Sequence, residues 1–204
     1  TYTPLKSNYI MIEPARSLLS DKEIGKLCMG AARPMIEPFF NQSIRFDEDG
    51  QKINSYGLSS YGYDVRGNGE WLRYVDNGEV IDVRTMSPEQ TETVQGDYFI
   101  LQPGDFVMTV SAERFVMPRD VLAHVLTKST YARQGIICIA TPLEPEWEGH
   151  ITLEFANTTK RPVKLYANDG IAQIVFYRGT DVETSYADRA GKYQDQPANV
   201  VLPR

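Results

Sequence analysis

Soft metal ligands are scarce in this chain of 204 residues: two cysteines and two histidines. Cys28 and Cys138 lie far apart and suggest no disulfide framework, so both read as free buried thiols. His124 is followed by Val125-Leu126 and His150 by Ile151-Thr152, so no zinc-holding set of His-x-Glu with Pro-Cys-x-x-Cys is present. Basic surplus is missing too. The 21 Lys and Arg against 27 Asp and Glu leave a formal charge of −6, which disfavours polymeric nucleic acid as a partner. A single anionic ligand stays open, because a few cations can converge locally. No apolar run approaches the ~20 residues of a membrane span, and the first twenty residues lack the apolar core of a secretory signal. A cytoplasmic protein without a membrane partner is the expectation. There is also no Gly-x-x-x-x-Gly-Lys-[Ser/Thr] phosphate loop.

What is present is ordinary globular material: 42% apolar and 24% charged residues, on a length suited to one domain with a sizeable core. Ser20-Asp21-Lys22-Glu23 reads as a capping box ahead of Ile24, Leu27 and Cys28 on one helical face, with Gly30 as a stop. One short helix is expected there. From Pro34 onward short apolar or alternating runs are separated by Gly, Pro, Asn and Asp. Candidate strands are 62–66, 98–101, 106–111, 114–116, 123–126, 136–140, 150–157, 163–166 and 171–177. Gln102-Pro103-Gly104-Asp105 and Asn168-Asp169-Gly170 are turns in which Pro presets φ and Gly takes positive φ. Tyr131–Gln134 has no two-residue period and reads as a helical turn. The polar stretch 82–96 reads as a loop. Many short strands at regular spacing predict an all-β barrel or sandwich with a short N-terminal helix. Residues 1–17 form an extension, 18–179 the domain, and 180–204 a tail.

Chemistry concentrates between Thr127 and Asn157. Lys128, Ser129, Thr130 and Arg133 supply cations and hydroxyls, Glu144–Gly149 is an acidic turn, and Ile151–Phe155 is a strand with one carboxylate. Alternation puts Ile151, Leu153 and Phe155 on one face and Thr152, Glu154 and Ala156 on the other. Glu154 is therefore either a solvated glutamate on an outer face or an acid placed for chemistry. Ser129 alternatively caps a turn, Arg133 is alternatively a plain surface cation, and Trp147 alternatively packs in the core.

Together, KSTYARQGI at 128–136 and TPLEPEWEGHITLEFANTT at 141–159 resemble the dCTP deaminase family of the dUTPase-like superfamily. MIEPF at 35–39, SSYGYDVR at 59–66, YANDGIAQ at 166–173 and SYADRAGKYQDQ at 185–196 extend the match over most of the chain after about Leu18. The resemblance implies a dUTPase-like distorted β-barrel of the β-clip type, assembled as a homotrimer with sites between subunits. It implies that dCTP is deaminated to dUTP without zinc, with Glu154 as general acid/base. Ser129 and the carbonyl of Ala140 would position the water, and Arg133 would tune charge or contact phosphate. Lys128, Ser129 and Thr130, with Tyr131 and Ala132 completing their turn, would face the triphosphate. Glu144 would approach the deoxyribose 3′-hydroxyl, with Trp147 near the sugar, and backbone groups at Thr152 and Leu153 would read the base. Gln173, Tyr186, Lys192 and Gln196 match further binding positions, the last three on a tail that acts as a lid or else stays mobile in solvent. No cofactor is implied beyond Mg²⁺ accompanying the triphosphate, and dUTP or dTTP would bind as product or inhibitor. Two rivals remain: a bifunctional enzyme carrying dUTP on to dUMP (or a dUTPase alone), and a non-catalytic nucleotide-binding regulator. The glycine-rich C-terminal motif of dUTPases is absent from the tail, and the regulator has no need of Ser129, Arg133 and Glu154 together.

Overall fold

The computed structural model describes residues 17–202, so all of the expected N-terminal extension but Ser17 lies outside the described residues. The chain opens on α1 (Asp21–Cys28). Glu23 Oε2 accepts from both the backbone N–H and the hydroxyl of Ser20, at 3.0 Å each. This is the capping box read from the sequence, and the helix buries Ile24 and Cys28.

Thirteen strands follow among the described residues, and their ladders are antiparallel. In chain order the first seven are β1 (Ile36–Glu37), β2 (Ile44–Phe46), β3 (Lys52–Ser59), β4 (Gly62–Arg66), β5 (Glu70–Tyr74), β6 (Thr91–Gln95) and β7 (Tyr98–Leu101). The rest are β8 (Phe106–Val116), β9 (Val121–Thr127), β10 (Ile136–Ile139), β11 (Glu148–Asn157), β12 (Val163–Tyr166) and β13 (Gly170–Arg178). One sheet runs β10-β11-β8-β5-β6 with β1 also on β8; a second runs β2-β3-β4-β13-β9; β12 and β7 form a pair. Their inner faces enclose a core of Tyr63, Trp71, Phe115, Leu153, Phe155 and Phe176, all fully buried. A single turn of helix, α2 (Ser129–Ala132), joins β9 to β10, starting two residues before the expected turn.

Several expectations are corrected. The stretch 82–96 is no plain loop: it carries a 3₁₀ turn at Pro88–Gln90 and then β6, which pairs with β5. β6 is an edge strand exposed on both faces, so it has no need of apolar alternation. The runs 106–111 and 114–116 are one strand, β8. Glu113 interrupted the apolar pattern, yet its side chain is fully buried because Arg66 Nε donates to it at 2.8 Å and the Arg66 backbone N–H at 3.0 Å. Arg66 itself lies over the rings of Phe40 and Tyr56, 4.8 and 4.7 Å from their centroids. β1, β2, β3 and β5 also escape the sequence reading. In the second turn Asn168 holds positive φ, at 59°, while Gly170 is required by space: a Cβ there would meet Ser55 O at 2.0 Å.

Candidate active site

Glu154 sits on β11, opposite Ile139 of β10 and Met108 of β8. Its strand alternates as expected: Ile151, Leu153 and Phe155 face the core, and Thr152, Glu154 and Ala156 are half-buried on the other face. That face is only partly open to water. Glu154 lines a cleft of about 610 Å³ whose walls include Trp147, Tyr186 and Tyr193, with Glu144 and Thr152 at its polar points. Withdrawal from water pushes the Glu154 carboxyl up to about 7, because a low-dielectric site disfavours the charged form. Cleft size and apolar-aromatic lining suit a small ligand with a few polar anchors.

β10 pairs with β11 only from Asn157 to Glu154, and the chain then departs through Ala140 and Thr141. On the same strand, His150 N–H donates to Gln196 O at 3.0 Å, so the tail covers the edge near Gly149. Between these two contacts the β10-side edge of β11 is left as a window beside the cleft; on the β8 side Ile151 N–H donates to Ser111 Oγ at 2.8 Å and Leu153 pairs with Thr109. This is where base-reading backbone groups at Thr152 and Leu153 were expected. The Leu153 side chain itself is wholly buried in the core.

The tail is a folded strap rather than a mobile end. Tyr186 N–H donates to Pro145 O at 3.0 Å, Trp147 Nε1 donates to Tyr193 O at 2.8 Å, and Gln194 Nε2 donates to Glu146 O at 3.0 Å. Gln196 is buried, and its Nε2 donates to Thr152 Oγ1 at 2.6 Å and His150 O at 2.8 Å. Gly149 makes this approach possible, since a Cβ there would lie 2.6 Å from Gln196 N. Arg119, missed in the sequence, anchors the strap: it reaches Glu146 at 2.6 Å, Asp188 at 2.7 Å, and the carbonyls of Val182 and Glu183. Its only sequence signal is a cation in a Pro-Arg-Asp turn, which specifies no partner. Glu144 is paired with Arg189, which also lies over the Tyr186 ring. Trp147 is both buried and cleft-lining, so core packing and ligand contact are compatible in it. Lys192 is exposed near the Tyr193 ring and does not line the cleft.

The other expected group gathers elsewhere. Ser129, Ala132 and Arg133 are exposed at α2, Thr130 is half-buried, and none of them lines the cleft. Gln173 stands on β13 between Asp64 and Leu126. Ala140 packs against the core beside Thr141, which does line the cleft. Two residues have partners within the chain. Lys128 is buried and its ammonium is paired with Asp64, so its charge is satisfied internally. Tyr131 is buried, its hydroxyl accepting from Asn54 Nδ2 at 3.2 Å and Tyr166 N–H at 3.1 Å, which makes it a core strut. Beside the exposed α2 group, Leu126, Ile137 and Ile139 present outward apolar side chains.

The family model described as dCTP deaminase-like matches residues 18–179. The chain belongs to the dCTP deaminase-like family. It is 48% identical over 190 residues to the dCTP deaminases of Paraburkholderia xenovorans and Alcanivorax borkumensis, covering 92% of this chain and 99% of each relative. Among solved structures, the 2′-deoxycytidine 5′-triphosphate deaminase of Agrobacterium tumefaciens superposes with a TM-score of 0.56 at 18% identity, over 84% of this chain and 50% of that one. At that identity the likeness speaks for the fold alone. Members of the dCTP deaminase-like family take a nucleotide substrate, and the cleft at Glu154 is this chain's candidate for holding it. Among the described residues, no helix is long and apolar enough to cross a membrane.

Proposed function

We infer that the chain is a dCTP deaminase, converting dCTP and water to dUTP and ammonia. The observation that carries the mechanism is Glu154, a carboxylate raised to about 7 inside an aromatic-walled cleft. A group whose pKa lies near working pH both accepts and returns a proton efficiently. Ionised Glu154 accepts a proton from water as the oxygen attacks C4, and passes it to N3. It then takes the proton of the new hydroxyl and delivers it to the amino group, which leaves as ammonia as the C4 carbonyl forms. One carboxylate serves both halves of the reaction.

Thr152 and the β11 window support base recognition, Trp147 and Glu144 support the sugar, and the strap supports the phosphates with their Mg²⁺. Ser129 and Arg133 stand outside the cleft, next to the outward apolar Leu126, Ile137 and Ile139. That arrangement supports a site completed between copies in a homotrimer, where one copy brings its α2 group to another's Glu154. A cytoplasmic location follows from the nucleotide substrate. The test is product analysis with dCTP: equimolar dUTP and ammonia are expected. Accumulation of dUMP would make the enzyme bifunctional, and no product at all would make the protein a binder.

A further inference from the structure

The far end of the strap is held by contacts that phosphate binding does not explain. Ala198 O accepts from Asn68 Nδ2 at 2.9 Å, and Val200 N–H donates to Glu70 Oε1 at 2.9 Å. Glu70 is itself fixed, its Oε2 accepting from Gln95 Nε2 at 3.2 Å and its N–H donating to Asn68 Oδ1 at 2.9 Å. Val200 is buried and packs with Leu72, Met108 and Val110, flanked by Tyr74, Phe106 and Leu202. This is a second, small apolar cluster on the outer face of the sheet. Leu72 pairs with Met108, and Met108 pairs with Glu154, so all three lie on one rung and one face. Val201 lines the cleft with Met108 and Glu154.

We propose that residues Ala198 to Leu202 are a positioning element for Glu154: clamped by Asn68 and Glu70, they lay Val200, Val201 and Leu202 over the sheet face beside the carboxylate and keep water from it. The proposal rests on the acid/base reading of Glu154. The titratable groups around Glu154 are Tyr74 from β5, Cys138 from β10, Tyr186 and Tyr193 from the strap, His150 on its own strand, Glu144 with its partner Arg189, and, in the proposed homotrimer, Arg133 of another copy. Burial alone raises the Glu154 carboxyl. What covers this face therefore sets how readily Glu154 ionises. Without its apolar end the strap would still bring Tyr186 and Gln196 to the cleft but leave one wall wet.

The experiment measures the Glu154 titration midpoint directly, by infrared difference spectra of the full-length protein with Glu154→Gln as the blank, alongside the pH profile of kcat/KM. In the double variant Val200→Ser, Val201→Ser the midpoint is expected to fall by about one pH unit, and the acid limb of the profile to move the same way. Glu70→Ala, which frees the Val200 N–H, should do likewise. Glu70→Gln keeps an oxygen acceptor and should titrate like the parent. An unchanged midpoint in Glu70→Ala and in a folded double variant overturns the proposal. Failure of the acid/base reading is a separate outcome, seen as parent-like turnover in Glu154→Gln.

Discussion

The acid/base role proposed for Glu154 sets opposing demands: the carboxylate must leave water to be basic enough, and leaving water makes its charge costly. In the folded chain the proton is held up to about 7, against 4.5 for an unperturbed glutamate. Between those two values the native state binds a proton that the unfolded state has released, so stability falls as pH rises through that window. Replacing Glu154 by Gln removes this titration while keeping shape. Glu154→Gln should fold and bind dCTP, with turnover reduced at least ~10²–10⁴-fold, the usual contribution of a positioned acid/base. The gap between its melting temperature and the parent's should move in the variant's favour from pH 4 to pH 8. Parent-like turnover, or a gap independent of pH, would return Glu154 to the role of an ordinary half-buried carboxylate. Cys138, by contrast, is a thiol that burial pushes up to about 12, so it stays protonated and inert at neutral pH.

At the scale of elements, the strap from Thr180 onward is the part most exposed to loss. It has little apolar area of its own until Val200, and it is held chiefly by hydrogen bonds and ion pairs to the acidic turn. Arg119 joins both sides of that contact. Arg119→Ala should raise the KM for dCTP several-fold and make the strap the first site of limited proteolysis, with the barrel's melting behaviour little changed. Truncation after Thr180 should weaken binding further. A truncated enzyme with parent KM and kcat would mean that the strap has no part in the site. The contrast with β11 is instructive: β11 is paired through β8 and anchored by Leu153 and Phe155 in the core, so it supplies the fixed side of the cleft while the strap supplies the removable one.

For the whole molecule, the separation of the α2 group from the Glu154 cleft is the central fact. Inactive Arg133→Ala and inactive Glu154→Gln proteins, mixed under subunit exchange, should regain part of the parent activity, because in the proposed homotrimer some mixed assemblies contain one site with both residues intact. Absence of any recovery, with exchange verified, would confine each site to a single chain. Metal enters the same scale. Among the described residues no three His, Cys, Asp or Glu side chains converge on a common point. On the acid/base reading proposed for Glu154, dialysis against a strong chelator followed by assay with Mg²⁺ restored should leave deamination intact, and a stoichiometric zinc lost together with activity would sink the mechanism.

Local patterns were enough to settle a good deal. The capping box at Ser20–Glu23, the alternation of β11 and the family motifs from Thr127 to Asn157 are all short-range, because a helix start or a strand face is encoded within a few residues. The family was legible for that reason. Edge strand β6 and the buried Glu113 were not: the first needs no apolar face, and the second is tolerated only because Arg66, 47 residues away, comes to meet it. The same holds at the site. Nothing in a Lys-Ser-Thr triplet says that Lys128 will be spent on Asp64, or that Tyr131 will tie Asn54 to Tyr166. Nor does a polar tail announce that it will dock on its own barrel. Those outcomes depend on partners distant in sequence, and only the tertiary structure decided which charges meet, which are buried and which face is left dry enough to hold the proton on Glu154.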